Sequence, residues 1–330
     1  MQATYDHQIV TSVTAPAPSV SVRVPAKVNL QLAVGPLRAD GYHDLVTVFH
    51  AVSLFDEVTV SAAERTTVLV TGEGADSVPR DGTNLAVRAV TALGRAARRR
   101  GRSAVRIEIR KRIPVAAGLA GGSADAAAAL LACNELWLTG LSMPELSEIA
   151  ADVGSDVPFA LVGGTAIGHG RGERLTAALV AGTYHWVLAF AAAGLTTPEV
   201  YAACDRLRAA RSAADGSPRE APAPALNTAL LAALRSGDPR AVGPLLANDL
   251  QPAAVSLLPD LRRTLAAGRE HGALGAIVSG SGPTCAFLAV DAEHARELAV
   301  SLTGAGVCRS VVAASGPAPG AAILADRRLA

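Results

Sequence analysis

The chain has 330 residues, half of them apolar and under a fifth charged, with a formal net charge of +1 and 3% aromatics. This excludes a disordered chain, and it lacks the basic stripe and stacking aromatics of a nucleic-acid binder; its one dense basic run, RAARRRGR at 95–102, reads as the solvated end of a helix. No apolar stretch reaches the roughly 20 residues of a membrane span, no secretory signal is visible, and four scattered cysteines show neither metal-ligand spacing nor a disulfide framework, so a cytoplasmic protein is expected.

The length suits two domains. Residues 1–19, rich in Ala, Pro, Ser and Thr, read as a mobile tail. SVSVRVPAKVNLQLAV (19–34) alternates with the period of a strand, and Pro25 predicts an edge, a bulge or a break there. A turn on Asp40-Gly41 follows, then short β runs at 46–52, 56–61 and 66–72 that predict an antiparallel sheet. Residues 84–100 have helical spacing and end in basic residues; 103–113 alternate as a strand that feeds a Gly- and Ala-rich stretch and a helix over about 122–137. A helix over 143–153, the segment GSDVPFALVGG (154–164) and a β-like 165–178 close a first domain, 20–180.

The second domain, 181–315, opens on a buried strand (184–191) and a helix (197–208). Residues 209–225, rich in Ala, Pro and Ser, read as a flexible loop. Helices to about 271, two strands joined across GSGP (273–290), a helix (292–303) and a strand (307–314) follow, and 316–330 read as a poorly ordered tail. Strands and helices mix without the regular alternation of a doubly wound sheet, so the fold class is α+β in two domains.

The stretch IPVAAGLAGGSADAAAAL (113–130) poses the chemical question. Gly118, Gly121 and Gly122 allow close backbone approach just before a helix whose first amides are unpaired and carry partial positive charge. Either those amides close on a phosphate, with the Ser123 hydroxyl on an oxygen or a magnesium ion and Asp125 suited to the helix dipole or the metal, or the glycines only turn the chain. Neither the dinucleotide fingerprint nor the Walker loop matches. Phosphoryl transfer would also need a carboxylate and a cation. Asp156, in GSDVP, and Lys27, beside Pro25, are candidates; alone, the first reads as a helix N-cap and the second as a solvated strand lysine. Only two of the thirty basic residues are lysines, Lys27 and Lys111, a pattern that suggests a need for a compact ammonium at those two positions. His169, His185 and His271 are not clustered in sequence and mark no metal site.

PVAAGLAGGSADAA (114–127) resembles the phosphate loop of the galactokinase, homoserine kinase, mevalonate kinase and phosphomevalonate kinase (GHMP) superfamily. PAKVNLQLAVGPLRADGYHDLVTVF (25–49), GSDVPFALVGGTAIGHGRGE (154–173) and SGSGPTCAFL (279–288) are similar to one branch of it. Members of that branch transfer the ATP γ-phosphate to the 2-hydroxyl of 4-diphosphocytidyl-2-C-methyl-D-erythritol in the non-mevalonate isoprenoid pathway.

The resemblance implies a ribosomal-S5-like N-terminal β/α domain and a ferredoxin-like C-terminal α/β domain with the active site in the cleft between them. It implies Asp156 as base and Lys27 as the orienting, polarising cation. ATP falls to Pro114, Val115, Ala116, Ala117, Gly118, Leu119, Ala120, Gly121, Gly122, Ser123 and Ala124, with Mg2+ as cofactor and Ser123 as a candidate ligand. Asn29, Tyr42, His43, Thr197 and Tyr201 match substrate-binding positions, the cytidine end lying at Tyr42 and His43. Ala116, Ala117 and Ala120 stand where family loops often carry glycine. Another superfamily kinase acting on homoserine or mevalonate, or a non-catalytic module on the same fold, are the rival readings; PAKVNL with RADGYH argues against the first, and retention of Lys27, Asp156 and the glycines against the second.

Overall fold

A computed structural model describes residues 18–99, 103–214 and 222–325. Its elements in chain order are β1 (Ser19–Leu37), β2 (His43–Ala62), β3 (Thr67–Gly72), α1 (Leu85–Ala96), β4 (Val105–Lys111), α2 (Gly121–Leu136), α3 (Met143–Val153), α4 (Val157–Val162), β5 (Thr165–Gly170) and β6 (Arg174–Ala177). There follow β7 (Tyr184–Phe190), α5 (Thr197–Ala214), α6 (Thr228–Ser236), α7 (Pro239–Val242), β8 (Ala247–Asn248), α8 (Gln251–Leu257), α9 (Asp260–Glu270), β9 (Gly275–Val278), β10 (Cys285–Ala289), α10 (Ala292–Gly304), β11 (Ser310–Gly316) and β12 (Ala322–Ile323).

The first sheet runs β12-β1-β2-β4-β3, with β5 and β6 continuing from the front half of β2 and β8 beside β1. The predicted runs 46–52 and 56–61 are one strand: Pro25 faces Phe55 while Ala26 faces Val52, so a bulge at 53–54 absorbs the missing amide of Pro25 without ending the pairing. The predicted antiparallel sheet holds for β1 and β2, but β3 pairs with β4 in parallel. The reason is α1, which lies between them in sequence and carries the chain back as a helical crossover. Asn84 caps that helix through the Ala86 amide, and Arg99 beyond its end stacks on Trp137.

The second sheet is antiparallel with order β11-β7-β10-β9. This is the order of a ferredoxin-like βαββαβ unit, with α5 to α9 filling its first crossover and α10 its second. Alternate residues of β7 serve two cores, which explains its unbroken apolar run. Tyr184, Trp186, Leu188 and Phe190 pack toward the first sheet, and Val187 and Ala189 toward α5, α8, α9 and α10. Helix α2 is apolar nearly all round and lies in the middle of the first core, where its alanines allow close packing.

Three segment expectations are corrected. Residues 209–214 continue α5, because Arg and Ala are strong helix formers; 215–221 lie outside the described residues, and 222–227 are docked by the Gln31 amide onto Ala225 and Asn227. The C-terminal stretch through 325 is ordered: β12 covers the edge of β1, and Pro319 bridges to Gly163. β8 and β12 also bring residues beyond 180 into the first sheet. Of the predicted tail over 1–19, Ser19 instead opens β1, while 1–17 and the end of the basic run at 100–102 lie outside the described residues.

Candidate active site

Lys27 lies on β1 beside the bulge and is 5% exposed. Its ammonium donates to Asn29 Oδ1 at 2.6 Å and to the Gly118 carbonyl at 2.7 Å. Asn29 is held in turn by Thr47, to whose hydroxyl it donates at 2.8 Å, and Thr47 donates to the Gln31 carbonyl at 2.7 Å. Burial pulls the Lys27 pKa below its ordinary value, and the charge of Asp156 opposes that.

The glycine loop runs from the end of β4 into α2. Gly118 has a φ of +74°, and a Cβ there would lie 2.2 Å from the Ser279 carbonyl oxygen. The loop is therefore pressed against the GSGP turn of the second domain, and Ser279 Oγ also donates to the Gly118 carbonyl at 3.1 Å. Ala116 and Ala120 adopt left-handed φ values of 52° and 59°. The backbone shape that glycine favours is thus kept by alanine, at about 1–2 kcal/mol each.

Asp156 occupies the N-cap position of α4, but its side chain makes no capping bond. Its carboxylate has no hydrogen bond or ion pair among the described residues and lines the cavity. The bland N-cap reading therefore fails for the side chain.

Sequence reasoning did not assign the second lysine a role. Lys111, 3% exposed, ion-pairs with Asp56 and, at 2.7 Å, with Asp125 on α2. Asp56 also accepts the amides of Arg112 and Ile113, so the three side chains tie β2, the end of β4 and the start of α2 together. Burial lowers the Lys111 pKa, but the two carboxylates outweigh it and hold the ammonium above its ordinary range. Burial raises the Asp125 carboxyl above the ordinary carboxylate range against the pull of Lys111. The suggestion of Asp125 as dipole partner or metal ligand is corrected accordingly: one oxygen is committed to Lys111, and the other is buried without a partner.

A cavity of 540 Å3 opens where β1, β2 and the glycine loop meet the start of α5 and the GSGP turn. It brings together Lys27, Asn29, Asp156, Thr197, Tyr201 and the loop residues Pro114 to Gly118 and Ala120 to Ser123. Leu119 and Ala124 point into the core instead. His43 is buried behind the wall, its Nε2 3.0 Å from Asp205 Oδ1 and its ring 5.1 Å from that of Tyr201. The Tyr201 phenol is pushed up by burial and then by the charge of Asp156. Tyr42 is half exposed and does not line the cavity itself; the guanidinium of Arg171, which does, lies 5.2 Å over its ring. Arg171, Asn84, Ser155 and Ser281 also line the cavity; Arg171, Ser155 and Ser281 sit inside the quoted sequence blocks, which was the available signal.

The fold and this cavity define a GHMP kinase. The family model for the GHMP kinases N terminal domain matches residues 84–164, and that for the GHMP kinases C terminal domain matches 230–308. Members of this class use ATP as phosphate donor. The chain is 58% identical to the 4-diphosphocytidyl-2-C-methyl-D-erythritol kinase of Mycolicibacterium smegmatis, covering 93% of this chain and 92% of the relative. It is 56% identical to that of Streptomyces coelicolor, covering 93% and 99%. A crystal structure of a kinase of the same name superposes with a TM-score of 0.70 at 34% identity, covering 89% and 98%. Homoserine kinase from Cytophaga hutchinsonii, at 19% identity and a TM-score of 0.71, shares the fold. The chain belongs to the 4-diphosphocytidyl-2-C-methyl-D-erythritol kinase family.

Proposed function

We propose that the protein transfers the γ-phosphoryl group of ATP to the 2-hydroxyl of 4-diphosphocytidyl-2-C-methyl-D-erythritol, in the cytoplasm and with magnesium, as a step of the non-mevalonate isoprenoid pathway. The observation that carries this reading is convergence. Lys27 from β1, Asp156 from the start of α4 and the amide-rich N-terminus of α2 open into one cavity although they are far apart in sequence.

The substrate hydroxyl attacks the γ-phosphorus, its proton passes to Asp156, and the bond to the bridging oxygen of ADP breaks. A carboxylate is a weak base at neutral pH, so positioning and charge stabilisation supply most of the rate. Lys27 holds the Gly118 carbonyl and Asn29 in place and puts a buried positive charge at the reacting end. The loop 114–124 cradles the nucleotide phosphates with backbone amides. Asn29, Thr197 and Tyr201 line the acceptor's path, and Tyr42 and His43 form its cytidine end.

The residues present fit a magnesium ion that rides on the nucleotide, since such an ion is held largely by substrate phosphates and water. The described residues contain no group of three or more His, Cys, Asp or Glu that would hold it alone. Ser123, whose hydroxyl has no partner among the described residues and which lines the cavity, would hold it, and the ion would neutralise phosphate charge.

The test is incubation of the purified protein with ATP, magnesium and, separately, 4-diphosphocytidyl-2-C-methyl-D-erythritol, mevalonate and homoserine. Phosphorylation of the cytidyl substrate alone is expected. Turnover of a different alcohol only, or of none, would sink the reading.

A further inference from the structure

The charges around the cavity are unevenly balanced. Among the described residues that line it, the charged side chains are Lys27, Lys111, Arg171, Asp125 and Asp156. Lys111 is neutralised by Asp56 and Asp125. Lys27 spends its hydrogen bonds on Asn29 and Gly118 and lies in the field of Asp156. Among the described residues the partly buried Arg171 guanidinium has no ion pair and no hydrogen bond, and it lies over the face of Tyr42.

The position of Arg171 matters as much as its charge. It sits in the turn between β5 and β6, flanked by Gly170 and Gly172. A Cβ on Gly172 would lie 4.0 Å from Asp156 Oδ1, so the turn stands against the carboxylate assigned to the reacting end. Its side chain reaches the other way, to Tyr42, the neighbour of His43 at the nucleoside end. In the proposed acceptor, a diphosphate joins the cytidine to the polyol that carries the reacting hydroxyl. A diphosphate held between those two ends meets Arg171.

We infer that Arg171 binds the diphosphate of the acceptor, a role that rests on the proposed function above. A guanidinium offers paired donors that match phosphate oxygens, and its stack on Tyr42 pre-orients that fork before the ligand arrives. The triphosphate of ATP has a separate cradle in the amides of the α2 N-terminus. Arg171 therefore distinguishes acceptors that carry a nucleoside diphosphate from smaller alcohols handled by the same fold.

The experiment reads binding without turnover. Calorimetric titrations of cytidine 5′-diphosphate and of cytidine, with ADP saturating, compare the wild type with Arg171→Met and Arg171→Lys; ADP is titrated separately. Arg171→Met keeps the apolar stem against Tyr42 and is expected to cut the preference for the diphosphate over cytidine by roughly 10- to 100-fold. Arg171→Lys should cut it less, and the affinities for cytidine and ADP should stay within about twofold, since the change removes only the guanidinium contacts. If Arg171→Met does not fold, Arg171→Lys decides: an undiminished preference there overturns the assignment. An unchanged preference in Arg171→Met, or a loss that falls on ADP, overturns it too. Either failure leaves the proposed function standing if the wild type still phosphorylates the cytidyl substrate. A wild type that binds neither cytidine compound and phosphorylates another alcohol overturns both.

Discussion

The Lys27 ammonium donates to the Gly118 carbonyl at 2.7 Å, so the strand that carries the lysine is tied directly to the glycine loop. The space around that ammonium is small: Asn29 Oδ1 is 2.6 Å away, and a Cβ on Gly280 would lie 2.8 Å from it. A guanidinium does not fit there without displacing the loop. Lys27→Arg is expected to lower kcat by about 100-fold or more although the charge is kept. Steady-state kinetics checks this; a loss under tenfold would mean that charge alone matters.

The Asp156 carboxylate has no hydrogen bond or ion pair among the described residues, so its removal should cost chemistry and little else. Asp156→Asn is expected to reduce kcat by roughly 10²- to 10⁴-fold, the usual contribution of a positioned proton acceptor. Thermal midpoint and ADP affinity should hardly change. A large loss of ADP binding would place the carboxylate in nucleotide binding instead.

The glycine loop offers a paired comparison. At Gly118 the left-handed φ and the 2.2 Å approach of a Cβ to the Ser279 carbonyl oppose any side chain, and Gly118→Ala is expected to cost upward of about 2 kcal/mol and to weaken ATP binding. At Ala120 the strain is already present, so Ala120→Gly trades relief of φ against chain entropy and should change stability by less than about 1 kcal/mol. Denaturant titration of the two variants separates the cases.

Lys111 is the cation that two buried carboxylates share, and its removal leaves both without it. Lys111→Met is expected to destabilise the fold by about 3–5 kcal/mol, the range for breaking a buried ion pair from one side. Adding Asp125→Asn should return part of that loss, because one of the stranded charges is then gone. No recovery in urea unfolding would argue that the lysine acts by filling space.

His50 is fully buried, bonded through Nδ1 to Thr165 at 2.8 Å, and burial lowers its pKa to about 3. The unfolded chain takes up its proton near pH 6.5, well above the folded value. The stabilising contribution of the neutral ring is thus complete above that pH and lost as the pH falls toward 3. Between pH 7.5 and 5.0 the wild type should lose about 2 kcal/mol that His50→Gln does not. Urea unfolding of both proteins at the two pH values measures the difference; parallel losses would show that His50 does not control it.

Much of the local structure was legible in the residues. Alternation marked β1 and β4, an apolar run marked β7, helical spacing marked α1 and α3, and Pro25 marked an irregularity, an edge, a bulge or a break, because a missing amide acts where it stands. The glycine loop was recognisable from its residues, as was the block around Asp156. The scarcity of lysine pointed at Lys27 and Lys111 without saying what surrounds either.

What lay beyond the sequence was decided by contacts between distant segments. Periodicity says that 66–72 is a strand, but its parallel partner depends on where α1 packs. Composition made the C-terminal stretch look loose, whereas the open edge of β1 orders it. A carboxylate shows its type in sequence; whether it caps a helix, as Asp156 does not, or is buried against a lysine, as Asp125 is, depends on groups brought close by folding. Sequence by itself determined most of the helices and strands, the glycine-rich turn into α2 and the identity of the charged groups, because neighbours along the chain set these. Only the tertiary structure decided which charges are neutralised and which face the cavity, because desolvation and Coulomb energy depend on distance in space.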